Sequence, residues 1–207
     1  MTLIDQLKYD GRQLVYFIGH PGSGKTTLMS ETTKDDPVNT IAKKPFAHTI
    51  YESGLVELGY QRPTYGGTDT LALGVQPKVA KWLENPPEYV GDTVLGEGDR
   101  LATLKFFRSA MDAGWNLTVV YLHTSELRAR QQAWERGSRF DESWLRGRIT
   151  KVDNLRQHLI LVHKTLLSVY RKDDHYPNLD FIEVNPVDDR GTWVFNWDKS
   201  YYMSGRF

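Results

Sequence analysis

Residues 19–26 of this 207-residue chain read Gly-His-Pro-Gly-Ser-Gly-Lys-Thr, which fits the phosphate-binding pattern G-x-x-x-x-G-K-[ST] at every fixed position. An apolar run at residues 14–18 comes directly before the pattern and predicts a buried parallel strand. A helix is predicted from residue 25 to residue 33, so the loop joins a strand to a helix. No other stretch of the chain restricts its fold as strongly.

The loop predicts a binding site for the phosphates of a nucleotide. Successive backbone N–H groups of such a loop point at phosphate oxygens, and the amino end of the following helix favours anions. Lys25 is expected to reach the β- and γ-phosphates, and the Thr26 hydroxyl is expected to ligate Mg²⁺. ATP and Mg²⁺ are therefore the predicted cofactors. The predicted nucleotide-binding residues are Gly19, His20, Pro21, Gly22, Ser23, Gly24, Lys25, Thr26 and Thr27.

Strand-like apolar runs alternate with helical patterns along the chain. This alternation predicts an α/β fold in which a parallel sheet is flanked by helices. Beyond the first strand and helix, strands are expected at residues 93–96, 117–122 and 179–184, and a long amphipathic helix at about residues 142–171. We predict a single domain over residues 1–207.

The region of about residues 46–70 is predicted to hold the phosphate acceptor. Two runs around a Ser53-Gly54 turn, residues 46–52 and 55–60, predict a β-hairpin insertion. Thr68 is expected to cap a helix that runs to residue 83 and is interrupted or started afresh at Pro77. The candidate substrate-binding residues are Arg62, Tyr65 and Asp69. Asp69 is expected either to contact the acceptor base, to orient the loop before it, or simply to favour the helix dipole.

Composition excludes several kinds of chemistry. The chain has no cysteine, which rules out disulfides, thiolate catalysis and cysteine-bound zinc. No apolar run has the length of a membrane span and no signal peptide is recognisable, so a cytoplasmic protein without a membrane partner is expected.

Lys+Arg and Asp+Glu both total 26, but residues 126–172 hold eleven basic residues against five acidic ones. That region is a candidate basic patch.

Two carboxylates and an arginine follow the strand at residues 93–96. Glu97, Asp99 and Arg100 lie at its carboxyl end, the edge where open α/β sheets bind their ligands. Glu97 and Asp99 are each candidates to hold Mg²⁺ or to accept the proton of an acceptor hydroxyl, and spacing alone does not separate these roles. Arg100 is a candidate clamp for an acceptor phosphate or a surface ion-pair partner.

An arginine-rich segment at about residues 128–148 predicts a lid. Its arginines are Arg128, Arg130, Arg136, Arg139, Arg146 and Arg148. Guanidinium groups match phosphate geometry, and a closing lid excludes water and stabilises transition-state charge. Arg146 and Arg148 are the lid residues predicted to take part in catalysis together with Lys25, Glu97, Asp99 and Arg100.

Four segments in this order resemble bacteriophage P-loop kinases related to thymidylate kinase, especially the phage 5-hydroxymethyluracil DNA kinases of thymidine hypermodification. The segments are GHPGSGKT at 19–26, GGTDTL at 66–71 with VQP at 75–77, LGEGDRL at 95–101 and WLRGRITK at 144–151. The resemblance covers about residues 13–185 and implies transfer of the ATP γ-phosphate to the 5-hydroxymethyl group of a modified uracil in DNA. It also implies that Arg146, Arg148 and Lys151 belong to the lid.

Two other functions are consistent with the same residues. A deoxynucleoside monophosphate kinase shares the phosphate loop, although Leu101 follows Arg100 here where thymidylate kinase has Asp-Arg-Tyr, which disfavours this alternative. A nucleotide-binding ATPase without an acceptor needs only the loop. A DNA acceptor would require a flipped or single-stranded base, and the sequence does not fix the oligomeric state.

Overall fold

The described part of the chain forms one sheet of eight strands, in the order β2-β3-β4-β5-β1-β6-β7-β8. The computed structural model describes residues 11–61, 66–125, 127, 130, 131, 134, 141–169, 179–186 and 193–196. The strands are β1 (Gln13–Gly19), β2 (Val38–Ala42), β3 (His48–Tyr51), β4 (Val56–Leu58), β5 (Thr93–Glu97), β6 (Asn116–Leu122), β7 (Leu179–Pro186) and β8 (Trp193–Asn196). The helices described over their full length are α1 (Lys25–Thr33), α2 (Gln76–Glu84), α3 (Leu104–Asp112) and α4 (Glu142–Val169).

The centre of the sheet is parallel, which confirms the predicted α/β fold. Every residue of β1 is buried, as expected for a strand covered by helices on both faces. β1 pairs with β5 on one side and β6 on the other, and Phe17 aligns with both Glu97 and Val120. The carboxyl ends of these three strands therefore lie together at one edge of the sheet, next to the phosphate loop.

Alternate residues of β1 point to opposite faces of the sheet and enter two separate hydrophobic clusters. Leu14 and Tyr16 pack in the larger cluster with residues of α2, α3 and α4. Val15 and Phe17 pack in the smaller cluster, to which α1 contributes Leu28 and Met29. Because both faces are covered, β1 is held rigidly, and so is the start of the loop that follows it.

The predicted β-hairpin is confirmed. Strands β3 and β4 are antiparallel, with Thr49 opposite Glu57, and Gly54 N donates a hydrogen bond of 3.1 Å to Tyr51 O in the turn. Strand β4 also pairs in parallel with β5, so the hairpin extends the central sheet. The sequence analysis did not predict β2 or β8, which add antiparallel strands at the two edges of the sheet.

The predicted helix cap at Thr68 is wrong. Residues Gly67–Thr70 form one 3₁₀ turn, and Thr68 is fully buried with its hydroxyl donating to Glu97 O at 2.8 Å. The alternative of a fresh start at Pro77 is confirmed, because α2 begins at Gln76 with this proline in its first turn. A proline fits there because the first helical N–H groups have no intrahelical acceptor.

The long helix is confirmed as α4, which begins at Glu142 and ends at Val169. Among the described residues, no helix combines the length and the apolar character that a membrane crossing needs. The single domain over residues 1–207 includes residues outside the described ranges and stays a prediction.

Candidate active site

The phosphate loop follows β1 at the carboxyl edge of the sheet and ends where α1 begins at Lys25. Nζ of Lys25 donates hydrogen bonds to the carbonyl oxygens of Gly19 and His20, both at 2.9 Å. The N–H of Ser23 donates to His20 O at 3.0 Å, so the loop folds back on itself. The ammonium of Lys25 is therefore held within the loop that is predicted to surround the phosphates.

The remaining predicted loop residues differ in exposure. Ser23 is buried, and its hydroxyl has no hydrogen-bond partner among the described residues. Thr27 is exposed on α1, whereas Pro21, Gly22 and Gly24 are half-buried. A buried hydroxyl in a phosphate-binding loop is a chemically suitable contact for a phosphate oxygen.

The structure brings together Thr26 and Glu97, two of the three predicted Mg²⁺ ligands. Oγ1 of Thr26 donates to Oε1 of Glu97 at 3.0 Å, and Glu97 is buried as the last residue of β5. Hydroxyl and carboxylate oxygens are hard ligands of the kind that Mg²⁺ prefers. The described residues contain no group of three or more His, Cys, Asp or Glu that could hold a metal ion. Mg²⁺ does not need one, because phosphate oxygens and water complete its shell.

Asp99 lies on the other side of this edge, where it contacts the cations of α4. Lys151 Nζ donates to Asp99 Oδ1 at 2.8 Å and to Asp99 O at 2.9 Å, and Arg148 pairs with the same carboxylate. Burial and the neighbouring charge of Arg148 lower the pKa of Lys151. Asp99 therefore anchors the amino-terminal half of α4 to the end of β5, and the carboxylate that contacts Thr26 is Glu97.

Asp69, a predicted substrate-binding residue, contacts the backbone of Asp99 at this edge of the sheet. Its Oδ1 accepts a hydrogen bond of 2.9 Å from the backbone N–H of Asp99. Burial raises the pKa of Asp69, and the charges of Lys25, Arg100 and Arg148 oppose that rise. Nε of Arg100 is buried and has no hydrogen-bond partner among the described residues. The carboxylate of Asp69 thus lies in the electrostatic field of the phosphate-loop lysine and of two arginines.

The turn that carries Asp69 is fixed by a buried hydroxyl network that sequence reasoning missed. The Tyr16 hydroxyl lies 3.0 Å from Thr68 Oγ1 and donates to Gly98 O at 2.9 Å, and Thr68 bonds to Glu97 O. Burial raises the pKa of Tyr16 well above its usual value, which keeps the hydroxyl protonated as a donor. A tyrosine in the otherwise apolar run of residues 14–18 was the available signal, since a buried hydroxyl needs a partner.

Glu57 is buried like Glu97, but the sequence analysis did not single it out. It is 1% exposed in β4, where it accepts hydrogen bonds from the Tyr51 hydroxyl at 2.8 Å and from the side chain of Gln61. Burial raises the pKa of Glu57 to about 7, and the charge of Glu97 adds to that rise. The sequence signal is an acid between Val56 and Leu58 in a strand, a position that is almost never buried without partners.

The predicted lid is only partly within the described residues. Arg146 is exposed on α4 two residues before Arg148, and Arg130 pairs with Glu142 at the start of the same helix. Arg148 also lies over the ring of Trp144, with its guanidinium carbon 5.2 Å from the ring centroid. The remaining predicted residues of the lid and the acceptor loop lie outside the described residues: Arg128, Arg136, Arg139, Arg62 and Tyr65.

A comparison with protein families matches residues 10–175 to the family described as P-loop Nucleotide Kinase3. The matched span begins before β1 and extends past α4, so it includes the phosphate loop, both carboxylates at the end of β5 and the helix that bonds to Asp99. No curated protein matches the chain in sequence.

Proposed function

The chain belongs to the P-loop nucleotide kinase 3 family, and we propose that it transfers the γ-phosphate of ATP to the 5-hydroxymethyl group of 5-hydroxymethyluracil in DNA. The observation that carries the kinase assignment is the Thr26–Glu97 hydrogen bond beside the Lys25 loop. It joins a phosphate-binding element to a buried carboxylate on the neighbouring strand. The resemblance of the four motif segments supports the choice of acceptor.

The donor half of the reaction follows from the loop. The loop N–H groups and Lys25 bind the phosphates of ATP, and Thr26 and Glu97 would hold Mg²⁺. When bound, Mg²⁺ neutralises negative charge on the phosphate oxygens. Lys25 would exchange its carbonyl contacts for contacts to phosphate oxygens, which places a fixed positive charge where negative charge develops.

The acceptor half involves Asp69. The hydroxyl oxygen of the acceptor attacks the γ-phosphorus, the bond to ADP breaks, and the hydroxyl proton must reach a base. The raised pKa of Asp69 makes it a better proton acceptor than an ordinary carboxylate, and the charges of Lys25, Arg100 and Arg148 favour its ionised form. Asp99 is engaged by Lys151 and Arg148, so we assign it to holding α4 over the site.

The decisive experiment follows labelled γ-phosphate from ATP into defined acceptors. DNA containing 5-hydroxymethyluracil is compared with DNA of identical sequence containing thymine, each in single-stranded and double-stranded form. We expect label only in the hydroxymethylated DNA, with single strands favoured because their bases need no unstacking. Label in neither DNA would reject the proposal.

A deoxynucleoside monophosphate acceptor is the second candidate, because the family description names nucleotide kinases. The same assay with free hydroxymethyl-dUMP and dTMP tests it directly. Transfer to a free nucleotide and not to DNA would establish this alternative. ATP consumption that no acceptor changes would indicate a nucleotide-binding ATPase without transfer.

A further inference from the structure

The imidazole of His20 is buried in the phosphate loop against α4. Its Nε2 lies 2.8 Å from Oδ1 of Asp153, 133 positions further along the chain. His20 is 8% exposed, whereas 45% of the Asp153 side chain is exposed. Since an ionised carboxylate only accepts hydrogen bonds, Nε2 is the protonated nitrogen of His20 and donates the hydrogen bond to Asp153.

The same residue holds Lys25 through its backbone. The carbonyl of His20 accepts one of the hydrogen bonds from Lys25 Nζ and a second from the N–H of Ser23. Movement of His20 would therefore displace the acceptors that orient the Lys25 ammonium. The hydrogen bond to Asp153 fixes the His20 side chain. It thereby also restrains the His20 carbonyl, which accepts from Lys25 and Ser23.

Helix α4 is a firm support for this contact because its inner side is buried. Val152, Leu155 and Leu159 lie in the larger hydrophobic cluster. One turn beyond Asp153, the guanidinium carbon of Arg156 lies 5.0 Å from the ring centroid of Tyr121. The Tyr121 ring in turn meets the His20 imidazole edge-on, with ring centroids 6.5 Å apart.

The contacts of α4 span both halves of the site. Arg148 and Lys151 bond to Asp99 at the end of β5, and Asp153 bonds to His20 after β1. A packed helix transmits a displacement at one of these points to the other, because its backbone does not stretch. A shift in the position of α4 therefore displaces the phosphate loop as well.

We propose that Asp153 is a positioning residue for ATP, which holds His20 so that the phosphate loop keeps its binding geometry while α4 is seated on the site. This inference rests on the proposed function, because it takes ATP as the ligand of the loop. Asp153→Ala removes the contact to the loop but leaves α4 in place, because its buried residues and the bonds of Lys151 and Arg148 to Asp99 remain, so the effect falls on the donor half. This role differs from that of an ordinary surface carboxylate on α4, whose removal would not change ATP binding.

The test measures binding of Mg²⁺-ATP by calorimetry to the whole chain and its variants. Asp153→Ala removes the acceptor, Asp153→Asn keeps an oxygen at the same place, and His20→Ala removes the donor. Gln157→Ala, an exposed position one turn further along α4, is the matched control. The transfer assay supplies the KM for the acceptor, and thermal melting shows that each variant folds.

We expect Asp153→Ala to weaken ATP binding about three- to tenfold, the usual effect of losing one hydrogen bond. Asp153→Asn should recover most of the loss, and Gln157→Ala should bind ATP normally. A double variant that carries both Asp153→Ala and His20→Ala should bind ATP no more weakly than His20→Ala alone. In Asp153→Ala, the KM for the acceptor should stay within about twofold of the wild-type value. A general structural defect would instead raise this KM as well as weaken ATP binding.

Several results would overturn the proposal. They are normal ATP binding by Asp153→Ala, independent effects of Asp153→Ala and His20→Ala that multiply in the double variant, and failure of Asp153→Ala to fold. Wild-type protein that binds ATP but labels no hydroxymethylated DNA would reject the proposed function and leave this inference standing. Wild-type protein that binds no ATP would reject both.

Discussion

The hydroxyl of Thr26 donates a hydrogen bond of 3.0 Å to Oε1 of Glu97, joining the phosphate loop to the end of the neighbouring strand. If this pair holds Mg²⁺, Glu97→Gln removes a charged ligand and should lower the transfer rate about 100-fold. The rate should also need more Mg²⁺ to saturate. Glu84→Gln, at the exposed end of α2, is the control. An unchanged Mg²⁺ dependence in Glu97→Gln would remove Glu97 from the metal site.

Lys25→Ala should lower the transfer rate about 100- to 1,000-fold and leave the fold intact. The reason is the loss of a positive charge preorganised on the Gly19 and His20 carbonyls, next to the developing charge on phosphate. Circular dichroism and thermal melting check the fold, and Lys34→Ala at the exposed end of α1 controls for charge. Unfolding of Lys25→Ala would show that the lysine mainly stabilises the loop.

Arg148→Ala should lower the transfer rate more than it lowers stability. The side chain pairs with Asp99 while 39% of its own surface is exposed, and such partly solvated ion pairs add little to folding. The free energy of unfolding should change by less than about 1 kcal/mol. Urea unfolding and initial transfer rates provide the two measurements, with Arg108→Ala on the exposed side of α3 as control. A wild-type rate would exclude Arg148 from the transfer step.

Gly67→Ala should destabilise the protein and impair transfer, because it displaces the turn that carries Asp69. The φ of Gly67 is +54°, and a Cβ there would lie 2.7 Å from both Cγ and O of Glu97. Gly74→Ala is the matched control, since its φ is also positive, at +75°, but nothing lies within 4 Å of an added Cβ. The control should lose about 1 kcal/mol from backbone conformation alone and keep its activity. Equal losses in the two variants would show that the contact with Glu97 is unimportant.

Glu57→Gln should change how stability depends on pH. The folded-state pKa of Glu57 is raised from 4.5 to about 7, so the folded chain binds this proton more tightly than the unfolded chain. The stabilisation from Glu57 is complete below pH 4.5 and is lost as the pH rises through 7, a change on the order of 3 kcal/mol. Glu57→Gln should lack this loss and be more stable than the wild type at pH 8.

Urea unfolding of both proteins between pH 4.5 and pH 8 measures the effect as a difference, which cancels the other titrating groups that the two proteins share. Glutamine keeps the shape of the side chain, and the Tyr51 hydroxyl can turn to accept from its amide. Parallel stability curves for the two proteins would mean that Glu57 titrates with an ordinary pKa.

The sequence predicted those parts of the site that depend on local chain geometry. The loop pattern located Lys25 and Thr26. A strand followed by Glu97 and Asp99 indicated that the candidate site lies at the carboxyl edge of the sheet. It failed at Thr68, where a local capping rule predicted a helix start. The buried Tyr16 and Glu97 backbone offer that hydroxyl better partners, so tertiary contacts override the capping preference. Glu57 was missed because its partners lie on a neighbouring strand and in the following loop.

The two carboxylates after β5 also show where local sequence information ends and tertiary contacts begin. Glu97 and Asp99 are two residues apart, and spacing left both as candidates for the metal and for the proton. Strand pairing separates their contacts, since Glu97 aligns with Phe17 of β1 and meets Thr26, while Asp99 lies beyond the end of the strand and meets α4.

By itself, the sequence determined the donor loop and the alternation of strands and helices, because both follow from backbone conformation and hydrophobic period over a few neighbouring residues. The tertiary structure alone decided that Glu97 meets Thr26, that Asp99 anchors α4 and that Asp153 holds His20. These partners lie 71, 52 and 133 positions apart, and only the order of strands and the packing of α4 bring them within hydrogen-bond distance. Hydrogen bonds act over about 3 Å, so the fold must place the partners before their chemistry can be assigned.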